Sequence, residues 1–259
     1  MSELKRTILL FVIFFATIEL HSQGFDWEYS SRLPYKIPRA FVGAGYSYSY
    51  NQNIGDFPFY ENNVYSLNFK NGSGSLNQFI ISFQYWEKPI IAIFGNVFYR
   101  QYKSDFSQSI TYPRSNGTDN WLVTYRTQMQ SSRDYLGASI GGKYRLFNTY
   151  FSIGVQITGQ FLLSSSSTAT EEIVSPDFEH YIDGSRLRDV QNTQLPDFRN
   201  FQLQPEIFVA YDFNIAKGLY IQSSLRMQIP LFNATSSDKY YALPMGIEIS
   251  IFKNLNILN

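Results

Sequence analysis

The stretch Tyr150–Leu163, YFSIGVQITGQFLL, alternates between two kinds of side chain. From Phe151 to Ile157 every second residue is Phe, Ile, Val or Ile, and the residues between them are Ser, Gly and Gln. Successive side chains of a β-strand point to opposite faces, so this stretch predicts a strand with one apolar and one polar face. The strand is long enough to cross the hydrocarbon core of a bilayer, which takes about 9–11 tilted residues.

Seven further segments share this period of two, so the chain contains eight: residues 40–50, 77–86, 90–102, 135–146, 150–163, 201–213, 219–229 and 241–252. Charged residues within them fall on one face, and the other face is apolar. A charge facing lipid costs about 2–4 kcal/mol at the bilayer midplane. We therefore predict an all-β fold, a transmembrane up-and-down antiparallel β-barrel of eight strands over residues 40–253. Alternation alone leaves open a soluble ligand-binding β-barrel with the two faces reversed.

The connections between the segments also alternate in length. Three are short, at 87–89, 148–149 and 214–218, and four are long, at roughly 51–76, 103–134, 164–200 and 230–240. Outer-membrane barrels have short periplasmic turns and longer external loops, which predicts periplasmic termini. Pro205 predicts a bulge, since proline removes a ladder hydrogen bond. Two aromatic girdles are predicted from residues near the segment ends: Tyr46, Tyr48, Tyr85, Trp86, Tyr150, Tyr220 and Tyr241.

The N-terminus has the layout of a secretory signal peptide. Lys5 and Arg6 precede the short apolar run Ile8–Ile18, and the small residue Ser22 follows it. This order predicts a signal peptide over residues 1–22, with an uncleaved anchor helix as the alternative. We expect a periplasmic lead-in over 23–39, a C-terminal tail over 254–259 and a location in the cell outer membrane.

The composition argues against several other classes of function. The formal net charge is zero and only 16% of residues are charged, so the chain lacks the basic footprint of a nucleic-acid-binding protein. It has no cysteine, which excludes disulfides and thiolate metal sites. His180 is the one histidine after the predicted signal peptide, and a lone histidine in a loop does not favour catalysis. We predict no enzyme activity, no metal and no cofactor.

The inward faces of the predicted strands carry six charged residues that define a candidate site. Folding the sixth segment onto the seventh places Glu206 opposite Arg226, and folding the seventh onto the eighth places Arg226 opposite Glu248. Lys143 and Arg145 are expected lower in the barrel and Arg100 higher on the third strand; all six form a predicted polar cluster in the lumen. Buried charges need partners, so this cluster either plugs the barrel or lines a narrow solute path.

The chain resembles the small outer-membrane β-barrel proteins, OmpA-type or porin-like, of Bacteroidota and Chlorobi-type bacteria. The resemblance rests on Trp27–Ser30 and Arg32–Pro38 before the first strand, and on Tyr181–Arg186 in the third long loop. It implies insertion into the outer-membrane bilayer by the barrel-assembly machinery. It also implies a non-enzymatic role, structural or in binding an unknown surface ligand through the loops, with a narrow small-solute channel as the alternative.

Overall fold

A computed structural model describes residues 39–61, 64–88, 90–146, 149–190, 197–216, 218–235 and 239–255. The predicted signal peptide, all but the last residue of the predicted lead-in and the end of the predicted tail lie outside these residues. Among the described residues, no helix has both the length and the apolar character needed to cross a bilayer.

The described residues form antiparallel strands joined into a closed ring. They are β1 (Ala40–Glu61), β2 (Val64–Lys88), β3 (Ile91–Ser115), β4 (Asn120–Arg145), β5 (Phe151–Ser175), β6 (Leu187–Asp189), β7 (Phe201–Ala216), β8 (Leu219–Gln228) and β9 (Lys239–Asn254). Eight of these pair in the ring order β1-β2-β3-β4-β5-β7-β8-β9, and β9 returns to β1. The short β6 only extends the sheet beside β5, at Thr170–Glu172. The predicted eight-stranded up-and-down barrel is therefore confirmed.

The apolar faces point outward and the polar faces point into the barrel. Ile140 is 71% exposed and Ile249 is 55% exposed, whereas Ser152, Thr158 and Gln160 are fully buried. A soluble barrel would show the reverse, so that alternative is wrong. Two predicted girdle residues also need correction: Trp86 and Tyr220 are buried in the lumen. Both residues occupy positions of their strands whose side chains point into the barrel, so they cannot contribute to a lipid-facing girdle.

The strands are much longer than predicted. Residues 103–115 and 120–134 continue β3 and β4 instead of forming a long loop, and β5 continues through residues 164–175. β1 and β2 likewise continue through most of the predicted loop 51–76. The prediction failed because the outward face becomes polar there, as at Ser107 and Gln128, which erases the contrast between faces while the hydrogen-bonded ladder continues.

This change of character marks the edge of an apolar belt around the barrel. The outward face passes from Tyr99 to Gln101 on β3, and from Leu136 to Asp134 on β4. Below this edge lies the apolar belt, and a lipid-facing band of this kind is expected to be about 25 Å tall. Above it lies what we call the extended end, opposite the terminal end, where Ala40 and Asn254 are found.

Two smaller expectations are also corrected. Pro205 lies in regular register opposite Ile157, without the predicted bulge. Its carbonyl accepts a hydrogen bond from the N–H of Ile229, just beyond the end of β8. Proline has no backbone N–H to donate, and position 205 lies where the hydrogen-bonded ladder between β7 and β8 ends. Asn254, assigned to the tail, is the last residue of β9.

Apolar side chains fill the lumen at both ends. At the terminal end, Phe41, Trp86, Ala92, Tyr220 and Phe252 form a buried cluster. The extended end holds a larger apolar cluster: Phe59, Leu67, Phe69, Phe106, Met129, Ala169, Val190, Phe198, Ala234 and Tyr240. Most charged residues of the lumen lie between these two clusters, and Arg133 lies against the larger one.

Candidate functional site

The middle of the lumen holds a network of four charged side chains, here called the central cluster. Arg226 contacts Glu206 at 2.9 Å and Glu248 at 2.8 Å, and Arg100 contacts the other oxygen of Glu206 at 3.1 Å. All four side chains are at most 8% exposed. The cluster is neutral, with two cations and two carboxylates, and neutral pairing is what makes burial of such groups tolerable.

The structure brings Glu206, Arg226 and Glu248 together by a different register from the one predicted. Arg226 lies directly opposite Phe208 on β7 and opposite Gly246 on β9, so both carboxylates are diagonal neighbours. The turn between β7 and β8, which contains Gly218 with φ of +73°, is centred one residue later than predicted. A one-residue shift of a turn centre moves the strand register by two, which keeps each side chain on its face.

A second charged layer, the terminal-end cluster, lies below the central cluster. Arg145 contacts Asp212 at 3.1 Å, and Lys143 lies 3.9 Å from the same carboxylate oxygen. The side chain of Gln222 donates a hydrogen bond to the other oxygen at 2.7 Å. Asp212 was on the predicted inward face, but sequence reasoning did not include it in the candidate site. Arg100, expected higher on the third strand, contacts Glu206 and so belongs to the central cluster.

A third layer, at the extended end, is built on Arg133. Its guanidinium donates to Ser104 at 2.9 Å and to Tyr240 at 2.8 Å. It also lies 4.6 Å from the centre of the Phe198 ring and 5.3 Å from that of Tyr102, where ring faces attract a cation. Sequence reasoning missed Arg133 because it fell in a predicted loop. The continued alternation around it is the signal that could have found it.

These layers leave very little free space in the lumen. Two cavities lie between the layers, each of about 10 Å³, which is enough for roughly one water molecule. Within the described part of the chain, buried apolar clusters lie above and below them. This arrangement fills the barrel and supports its wall.

The extended end carries a braced loop, here called the tip, over residues 176–187. Glu179 is nearly buried, and its carboxylate accepts hydrogen bonds from Arg114 and, at 3.1 Å, from the indole of Trp121. Arg186 donates to the carbonyl oxygens of Ile173 and Val174 at 3.1 and 2.9 Å. The loop is thereby fixed to β3, β4 and β5.

A second set of contacts holds the base of the tip. Tyr181 and Arg188 both donate to Glu171, at 2.8 Å each. Burial, followed by this hydrogen bond to Glu171, raises the pKa of Tyr181. The phenol therefore stays protonated and keeps donating. Hydrogen bonds from the backbone and side chain of Ser185 lower the pKa of the Asp183 carboxyl. The same hydrogen bonds stabilise the turn that presents Ile182.

The tip displays apolar side chains to solvent. Phe178 is 68% exposed and packs its ring 6.0 Å from that of Trp121. Ile182 is fully exposed, and so are Leu187 at the end of the tip and Leu122, which follows Trp121 on β4. His180 lies beside them, with its Nδ1 atom 3.0 Å from the carbonyl oxygen of Phe178. Among the described residues, no group of three or more His, Asp or Glu side chains is arranged to hold a metal.

The comparisons with known proteins give likeness at the level of architecture. No protein-family model matches the chain. No curated protein matches it either. The chain has the architecture of an outer-membrane β-barrel. Its strands close into a ring, and an apolar belt faces outward.

Among solved structures, the chain is similar to Neisserial surface protein A, with 7% identity over 83% of this chain and 99% of that one, and a TM-score of 0.35. It is similar to the attachment invasion locus protein Ail of Yersinia pestis, with 12% identity over 81% and 98% and a TM-score of 0.27. It is also similar to the outer-membrane protease OmpT of Escherichia coli, with 9% identity over 84% and 97% and a TM-score of 0.32.

Proposed function

We propose that this chain is a non-enzymatic outer-membrane β-barrel that acts at the cell surface through its tip. The observation that carries the proposal is the braced, apolar tip. Phe178 and Ile182 are exposed to solvent although the carboxylate beneath them, Glu179, is nearly buried and hydrogen-bonded. Exposed apolar groups on a rigid support are typical of binding surfaces, because little conformational entropy is lost when a partner docks.

The apolar belt supports a location in the outer membrane. Its exposed side chains require lipid, and a closed barrel satisfies the backbone hydrogen bonds that lipid cannot. On this proposal, residues 1–22 direct export, the lead-in 23–39 lies in the periplasm and the barrel-assembly machinery inserts the chain. The extended end then faces outward from the cell. The chain would belong with the Bacteroidota and Chlorobi-type barrels that its sequence resembles.

The filled lumen supports a surface role over transport. A narrow channel would need a continuous polar path, whereas buried apolar side chains lie on both sides of the central cluster, which supports a filled lumen. We expect no steady conductance when the purified protein is added to a planar lipid bilayer. Reproducible conductance steps from the unmodified protein would contradict the proposal.

The first test is cell fractionation combined with electrophoresis. The mature protein should partition with the outer membrane and should change its migration on boiling, as folded barrels do. Recovery in the soluble periplasmic fraction would overturn the membrane assignment. The same migration assay shows whether each variant used below is folded.

The second test measures attachment of intact cells that display the protein to polystyrene, an apolar probe surface. The double variant Phe178→Ser with Ile182→Ser should lower attachment several-fold. The matched control is Leu231→Ser with Phe232→Ser, which removes similarly exposed apolar groups from the connection between β8 and β9. Equal attachment by the tip variant and the unmodified protein would contradict a role for the tip.

A further inference from the structure

The buried charges of the lumen do not balance. The central cluster is neutral, but the terminal-end cluster contains two cations, Lys143 and Arg145, and one carboxylate, Asp212. The side chains of these three residues are at most 1% exposed. Together the two clusters carry an excess of one positive charge, which lies away from water. An uncompensated buried charge is strongly unfavourable, so the excess calls for a counter-ion.

One cavity lies where that counter-ion is needed. It lies between the two clusters and is lined by Lys143 and Gln222 on one side and by Arg226 and Glu248 on the other. The Nζ atom of Lys143 is buried and donates no hydrogen bond. Its nearest ion-pair partner is the Asp212 oxygen at 3.9 Å, beyond hydrogen-bonding distance.

The two carboxylates nearest the cavity are already engaged. Asp212 accepts hydrogen bonds from Arg145 and Gln222, at 3.1 and 2.7 Å. Glu248 is ion-paired with Arg226 at 2.8 Å; its Oε1 atom accepts a hydrogen bond from the hydroxyl of Ser250 at 2.8 Å, and its Oε2 atom accepts no hydrogen bond. The ammonium of Lys143 is therefore the group with unused donor capacity at this cavity.

We propose that this cavity binds a single small monovalent anion, of the size of a halide, with Lys143 as its principal ligand. The volume of about 10 Å³ is enough for roughly one water-sized particle, which favours a monatomic anion over phosphate, sulfate or a carboxylate. The anion neutralises the excess charge, and Arg226 on the opposite wall adds to its attraction. This site is independent of the tip and of the membrane location proposed above.

The experiment measures unfolding of the full mature chain in detergent in sodium chloride, sodium bromide and sodium gluconate at equal ionic strength. Gluconate is too large for the cavity and controls for salt effects. A bound halide lowers the unfolding equilibrium constant by the factor 1 + [X]/Kd, about 11-fold at ten times Kd. Identical stability in halide and gluconate overturns the proposal.

The variant Lys143→Met removes both the ligand and the excess charge, so it should fold and lose the halide dependence. The matched control is Lys103→Met, since Lys103 is exposed on the outer face of β3 and should leave the dependence unchanged. Anomalous diffraction from crystals grown in bromide gives a second readout that needs no variant. A bromide beside Lys143 supports the site, and its absence there overturns it.

Discussion

Arg226 provides the sharpest test of the central cluster, because it holds two buried carboxylates at once. Its Nη1 atom contacts Glu206 at 2.9 Å, and its Nε atom contacts Glu248 at 2.8 Å. In Arg226→Met, Glu206 keeps Arg100, but Glu248 keeps only the hydroxyl of Ser250. Removing one partner of a buried pair costs about 3–5 kcal/mol, so we expect the free energy of unfolding to fall by about that amount.

The assay is urea unfolding in detergent micelles, followed by tryptophan fluorescence, since Trp86 reports on the lumen. Adding Glu248→Gln to Arg226→Met removes the stranded charge and should recover most of the lost stability. The matched control is Arg126→Met. Arg126 lies 3.5 Å from the carboxylate of Glu172, and both side chains are more than 40% exposed. The free energy of unfolding should therefore fall by less than about 1 kcal/mol. Equal small losses in Arg226→Met and the control would refute the reasoning.

Two further predictions test the direction of the faces and the packing of the lumen. Ile140→Arg places a charge on the apolar belt and should cost about 2–4 kcal/mol of unfolding free energy in lipid. Leu122→Arg, on the same face of β4 but above the belt, should cost less than about 0.5 kcal/mol. Equal costs for the two variants would contradict a lipid-facing belt around Ile140. Gly154→Ala should cost about 1–3 kcal/mol, because the new methyl group would lie 2.2 Å from Phe208. Gly159 faces outward, and a methyl group added there would lie 3.4 Å from its nearest neighbour. If Gly159→Ala lowered the unfolding free energy as much as Gly154→Ala does, crowding in the lumen would not be the cause.

The ring of strands could be predicted because lipid imposes a strict rule on one face of each strand. Between Ile153 and Ile157, the side chains that meet lipid must be apolar, and those in the lumen are free to be polar. The same rule placed Glu206, Arg226 and Glu248 on inward faces. Because a two-residue change of register preserves the face, they meet even though the predicted register was wrong.

Above the belt, the rule no longer applies, and prediction from sequence failed there. Water meets the outward face, so Ser107 and Gln128 give no contrast with their inward neighbours. The strand continuations were read as loops for that reason, and Arg133 was lost with them. Asp212 was missed for a different reason. Its pairing with Arg145 joins β4 to β7, which are not adjacent in the ring, so no hairpin register could relate them.

The meeting of β1 and β9 governs how this molecule can form. Phe41 pairs with Asn254, so the two ends of the described chain form the seam that closes the ring. Contacts between residues so distant in sequence are slow to form, because a long loop must close first. Until β9 has left the ribosome and reached the first strand, both edges stay open to wrong pairing. The chain must therefore be shielded from aggregation until its last strand is available to pair.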